Sequence, residues 1–406
     1  MYNLHKNRIS GSKLLTKSMF VIECIIQREH TIRILQICHI PEGCMRDLDF
    51  HLGQPVYKLE NDRIRIMTTV QNACVLPYFL FRDGREICPY WLAPWWNDRL
   101  YDDGSTISST LRGNFFCMER KGLQGYEHGR CANSPWELDG VEDKQDRKVM
   151  KLRFSDPDGG WIEKHLEIRN DDTAVYETEI LKGFSGEFTY NTHPCLKVPK
   201  ECFAASLDGN WKEMQTANGK LLDTEGGTYS RLPALTRITD RKKVTTVYGE
   251  EVDLGRHPQP KGTIDLLIAD TDATDGLGYA VFANPEEGYL YYQIKDAKVL
   301  PNTMFWLFNG GRHFAPWNGT TDGCLGVEEM SGRLFIFDED FPDRPDRYMI
   351  PFEEGKDLSV RQVYGVVPLP EGERSIRASR LTDKGILVSF EGGTEAQITV
   401  DISFFR

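Results

Sequence analysis

Three of the nine histidines stand in loop-like, Gly-, Pro- or Trp-rich surroundings. His128 opens HGRCANSPWEL (128–138), His193 lies in YNTHPCLKVP (190–199), and His313 lies in NGGRHFAPWNGTTDGCLGVEE (309–329). Imidazole titrates closer to neutrality than other unperturbed side chains, so a histidine held at a cleft exchanges protons near pH 7. A single loop histidine commonly does no more than hydrogen-bond in place. Three in such settings point to proton transfer. Glu328 and Glu329 end the short apolar run CLGVEE. Strand alternation turns one to each face, which would allow a carboxylate base to stand opposite a histidine acid. Two solvated charges at a strand end are the alternative.

These groups are far apart in the chain, so the fold must bring them together. From about residue 55 the pattern is strand-like. RIRIMTTV (63–70) alternates charged and apolar residues, and KVMKLRFSDPDGGWIEKHLEIRN (148–170) reads as strand, Pro/Gly turn, strand. Helical periodicity is scarce; TIRILQICHI (31–40) would make a turn or two at most. Many short strands without alternating helices predict an all-β protein of antiparallel sheets, a sandwich or barrel. Composition shifts near residue 50, which divides the chain into an N-terminal appendage or mis-assigned start (1–50) and one large β-domain (51–406). The first segment is basic, then apolar. Glu23 interrupts its apolar run and no small-residue cleavage site follows, so it is not read as a signal peptide. It should be dispensable for the core.

A net charge of -12 argues against nucleic acid, which wants a basic stripe. No window reaches the roughly 18 uncharged apolar residues of a membrane span. The ten cysteines form no CxxC pair, so zinc-type spacing is absent and the thiols read as reduced, in a cytoplasmic protein. Asn318-Gly319-Thr320 is a glycosylation sequon that matters only in a secreted chain. An aromatic content of 11% suits a sheet-based protein able to stack on a ring-shaped ligand.

RGNFF (112–116), HGRCANSPWEL (128–138), HPCLKVP (193–199) and GCLGVEE (323–329) together resemble the aldose epimerase (mutarotase) family and its galactose-mutarotase-like relatives. The resemblance covers roughly 55–405. It implies an antiparallel β-supersandwich with an open groove, and an enzyme that interconverts the anomers of an aldose. It implies that His193 is the general acid at the ring oxygen and Glu328, rather than Glu329, the base at the anomeric hydroxyl. His128 would hold a sugar hydroxyl, with Asn133 and Trp136 fixing the course of its loop. No metal, nucleotide or other cofactor is implied; the partner is a small-molecule sugar, and the protein a monomer or homodimer.

Other positions follow from the same resemblance. Asn114 matches the N-F loop. Arg112 is the candidate for a substrate-contacting arginine, with Arg312 competing. Asp265, in KGTIDLL, matches a family carboxylate by position only. His313 either touches sugar or orders the Trp317 loop, and Trp95, Trp96 and Trp317 could stack on a pyranose face. The chain departs from the family after HG, where Arg130 and Cys131 intervene, and at His193-Pro194-Cys195-Leu196, where the family has HPYF; both leave the sugar open. The alternative is a non-catalytic carbohydrate-binding protein on the same fold. A lyase or hydrolase accessory domain would ordinarily bring a second, helical domain, which the sequence does not show.

Overall fold

In the computed structural model, the Trp161–Arg169 strand shows how sequence becomes sheet. Its residues alternate between buried and half-buried, with Ile162, Leu166 and Ile168 all inward. The described residues are 48–406, except 97–105, 124, 220–222, 274, 321, 334–336, 338–348 and 354. The helical turn read at 31–40, the apolar run Met19–Ile26 and most of the 1–50 appendage lie outside them. The sequence boundary at 50 falls inside the first strand, Asp49–His51, which pairs with Gln54–Glu60.

The architecture is all-β, as the sequence predicts. Among the described residues two large sheets have 13 and 9 strands, and every pairing between these strands is antiparallel. Among the described residues the one α-helix is Thr106–Thr110. The centre of the larger sheet runs Asn114–Arg120, Gly186–Lys197, Cys324–Met330, Asn302–Asn309, Thr263–Thr271. Strands far apart in the chain are thus neighbours in space.

Each central strand has two differently buried faces, because successive side chains point to opposite sides. Inward residues such as Phe116, Leu196, Phe305, Leu307, Leu325 and Val327 join the core between the sheets. Outward residues, including Phe115, Cys195, Met304, Trp306, Phe308 and Cys324, form a separate cluster with Trp91, Trp95, Leu111, Ala132 and Trp317 from the overlying loops. A third layer, the meander Ile376–Thr382, Gly385–Phe390 and Glu395–Thr399, covers the far side of the smaller sheet through Ile386, Val388 and Phe390.

The inter-sheet core also contains charge. Lys164 Nζ lies 2.6 Å from Glu177 Oε1 and 3.2 Å from Glu179 Oε1, with all three residues fully buried. Lys295 pairs with Glu329 in the same layer. Among the described residues seven cysteines are free, and no helix is long and apolar enough to cross a membrane.

Candidate active site

The site is built on the outward face of the larger sheet. Register pairs His193 with Phe115 across one strand boundary. Their rings stack at 4.5 Å with an 18° interplanar angle, which fixes the imidazole plane. On the other side of the His193 strand lies Cys324–Met330, where alternation puts Cys324, Gly326 and Glu328 outward and Leu325, Val327 and Glu329 inward. His193 Nε2 comes within 3.3 Å of Glu328 Oε1.

His128 arrives from a loop whose path the HG dipeptide makes possible. His128 has φ +63° and Gly129 φ +82°, two successive left-handed residues. A Cβ on Gly129 would sit 1.9 Å from the Met118 carbonyl oxygen, so only glycine permits this approach. Asn133 Nδ2 donates to the carbonyls of Glu127 and Gly129, both at 2.6 Å, and Trp136 Nε1 donates to Cys131 O at 2.9 Å. So held, the His128 ring meets His193 edge-on at 5.1 Å and Phe115 at 5.6 Å.

Glu328 is 1% exposed and His193 is 4% exposed. Burial pushes the Glu328 carboxyl well above the usual carboxylate range. Burial holds His193 well below the usual imidazole value, and the nearby His128 and Arg312 lower it further. Both shifts favour the uncharged form, so the contact is read as carboxylic acid beside neutral imidazole rather than as an ion pair. Asn191 Nδ2 donates to Glu328 Oε2 at 3.5 Å, while Oε1 has no hydrogen-bond partner within the protein. Gly326 makes room for this carboxyl: a Cβ there would lie 2.9 Å from both Glu328 Oε1 and Trp306 Cβ.

The other sequence candidates separate cleanly. Arg312 is half-buried on the site side, with its guanidinium 5.1 Å from the Trp317 ring and 5.8 Å from the Trp306 ring. Trp317 is buried among Trp95, Trp306 and Phe308, so it packs the wall edge-on instead of offering an open stacking face. His313 is exposed and packs on Tyr229 at 4.6 Å, pointing to an ordering role for its loop.

Three expectations need correction. Arg112 is fully buried and donates to Thr110 O and Leu52 O, both at 2.9 Å, tying the end of the short helix to the turn after the first strand. Asn114 precedes Phe115, so alternation turns it inward, where Nδ2 donates to Glu177 Oε2 at 3.3 Å. Asp265 also faces inward; it accepts from Ser230 Oγ at 2.5 Å and from the backbone N–H groups of Arg231 and Leu232, fixing a loop. Order along the chain does not say which way a side chain points.

The reading of Glu328 and Glu329 as a solvated strand end does not hold either, since both are buried. Sequence reasoning passed over Phe115, Asn191, Gly326 and Trp306. Trp306 alternates with Met304 and Phe308 in NTMFWLFN, but its place at the site follows only from register, which sets it opposite Gly326 and Met304 opposite Glu328.

No protein-family model matches the chain, and no curated protein matches it. Solved structures do. A candidate mutarotase (YeaD) from Salmonella typhimurium superposes with a TM-score of 0.52 at 12% identity, covering 86% of this chain and 97% of that one. A candidate aldose 1-epimerase from Klebsiella pneumoniae subsp. pneumoniae MGH 78578 gives 0.51 at 12% identity, over 78% of this chain and 80% of that one. A TPR-domain containing protein from Parabacteroides distasonis ATCC 8503 gives 0.50 at 10% identity, over 78% of this chain but 48% of that one. The architecture is the galactose-mutarotase-like β-sandwich. At these identities the likeness is one of fold, and activity has to be argued from the site.

Proposed function

We propose that the protein is an aldose 1-epimerase-type isomerase that interconverts the α and β anomers of a sugar. One observation carries this reading. A buried carboxyl, Glu328, has an oxygen without a hydrogen-bond partner in the protein, 3.3 Å from the Nε2 of a buried histidine. Such an oxygen is costly to bury unless a ligand hydroxyl meets it.

The protons balance. The resting pair holds one proton on Glu328; its transfer to His193 yields carboxylate and imidazolium, a base and an acid. Glu328 then takes the proton of the anomeric hydroxyl while His193 delivers one to the ring oxygen. The C1–O5 bond breaks and O1 becomes the aldehyde oxygen. Rotation about C1–C2 presents the other face of the carbonyl, and the reverse transfers close the ring. His128 and Arg312 lie beside His193 and would hold sugar hydroxyls. The test is anomer-exchange NMR across free and phosphorylated sugars; exchange of no sugar by the intact protein would sink the reading.

Gly326→Ala is expected to push the Glu328 carboxyl off its position against Trp306. Displacement by about 1 Å is worth roughly 10²-fold in rate. Steady-state exchange kinetics check this, and an unchanged kcat would remove Gly326 from the argument.

The pH–rate profile is expected to be bell-shaped, with a broad plateau. The working pair carries one proton in total. Because His193 is lowered and Glu328 raised, the acid limb reports mainly protonation of His193 and the alkaline limb mainly ionisation of Glu328. That order is opposite to the titration of a free carboxylate and a free imidazolium. A profile with one limb across the stable range would contradict it.

A further inference from the structure

The acid–base reading leaves one polar group of the wall unused. The Trp306 side chain is 5% exposed, and its Nε1 is buried without a hydrogen-bond partner in the protein. Other tryptophans contrast with it: Trp95 donates to Ser108 O at 2.8 Å, Trp136 to Cys131 O at 2.9 Å, and Trp211 to Thr303 Oγ1 at 3.2 Å. A buried tryptophan N–H usually finds such an acceptor.

Trp306 is no outlier in position. It pairs in register with Gly326, its Cβ lies over the same bare backbone as Glu328 Oε1, and its ring meets His193 edge-on at 6.1 Å. Among the described residues the wall thus holds an unsatisfied donor, the indole N–H, and an unsatisfied acceptor, Glu328 Oε1. A hydroxyl group complements both senses, because its oxygen accepts and its hydrogen donates. Sugars present hydroxyls on adjacent carbons.

We propose that the Trp306 indole N–H is a substrate-binding group, donating to a sugar hydroxyl in the site that holds Glu328 and His193, and so selecting sugars that carry that hydroxyl. This rests on the anomer-exchange reading. The donor belongs to a rigid strand and is walled in by Trp91, Phe308 and Trp317, with Arg312 over the ring. It has little freedom to find another acceptor. A site built to hydrogen-bond a hydroxyl discriminates against the analogue that lacks it.

The test pairs Trp306→Phe, which keeps an aromatic ring and removes the N–H, with a panel of monodeoxy sugars. On the best substrate, kcat/KM is expected to fall roughly 10–100-fold in the variant. One deoxy sugar should be handled equally by both proteins, since the lost hydroxyl and the lost N–H are partners. In the unaltered protein, the Trp306 indole ¹H–¹⁵N resonance should shift as sugar is titrated in, a readout that does not depend on the variant folding. Undiminished kcat/KM in a folded variant, or an indole resonance unmoved at saturating sugar, would overturn the proposal. If the intact protein exchanges no sugar, the earlier reading fails by itself, and the indole titration still decides this one. If no sugar binds, both fall.

Discussion

Glu328→Gln and His193→Asn are each expected to lower anomer exchange by about 10²–10⁴-fold while leaving sugar binding largely in place. Both replacements keep approximate size and hydrogen-bonding ability and remove proton transfer. The losses should not multiply in the double variant, because the two groups act as one unit across a 3.3 Å contact. The measurement is exchange spectroscopy on the best sugar, with Kd from calorimetry. Variants that bind as before but exchange at the unaltered rate would make the protein a carbohydrate-binding module on the same fold.

The second large effect is on stability. Lys295→Met is expected to cost about 3–5 kcal/mol, because it leaves a buried carboxylate without its cation. Lys295 and Glu329 are each 1% exposed. Glu329 also accepts from Gln293 Nε2 at 2.5 Å and Thr303 Oγ1 at 2.8 Å, and Lys295 donates to Asn302 O at 2.7 Å. Burial lowers the Lys295 ammonium below its ordinary value even beside Glu329. Urea unfolding measures the loss. Lys295→Met/Glu329→Leu should recover most of it, since removing both charges removes the desolvation cost along with the attraction. A double variant as unstable as the single one would show that packing, not charge, dominates.

That network changes how the adjacent glutamates must be compared. Alternation suggests Glu329→Gln as a silent control for Glu328→Gln. The control would not be silent in stability, because it leaves Lys295 buried opposite a neutral amide. The Glu329 network anchors the strand that presents Glu328 on its other side, so an activity loss in Glu329→Gln must be read with its unfolding curve.

The all-β class was legible in the sequence because it is local information: turn residues punctuate β-branched and aromatic runs, and helical period is missing. The HG dipeptide was singled out by resemblance, and the structure gives its physical reason: its glycine sits where a side chain would strike the Met118 carbonyl. Resemblance singled out His128, His193 and Glu328, and the structure places all three on one face. It also singled out Arg112, Asn114 and Asp265, which the structure turns into the scaffold.

Period-2 alternation, readable from the chain alone, says which residues of one strand share a face. It does not say which face is the site, nor which residues of other strands lie opposite. Those depend on register between segments that are distant in the chain, such as Thr192 against Glu329, and between nearer strands, such as Trp306 against Gly326, within one sheet. Register is decided by burying the inward set against the second sheet, where a slip of one residue would exchange the two faces. Tertiary structure alone also decided protonation. The sequence supplies a carboxyl and an imidazole of ordinary affinity, and only their joint exclusion from water makes each of them favour its uncharged form.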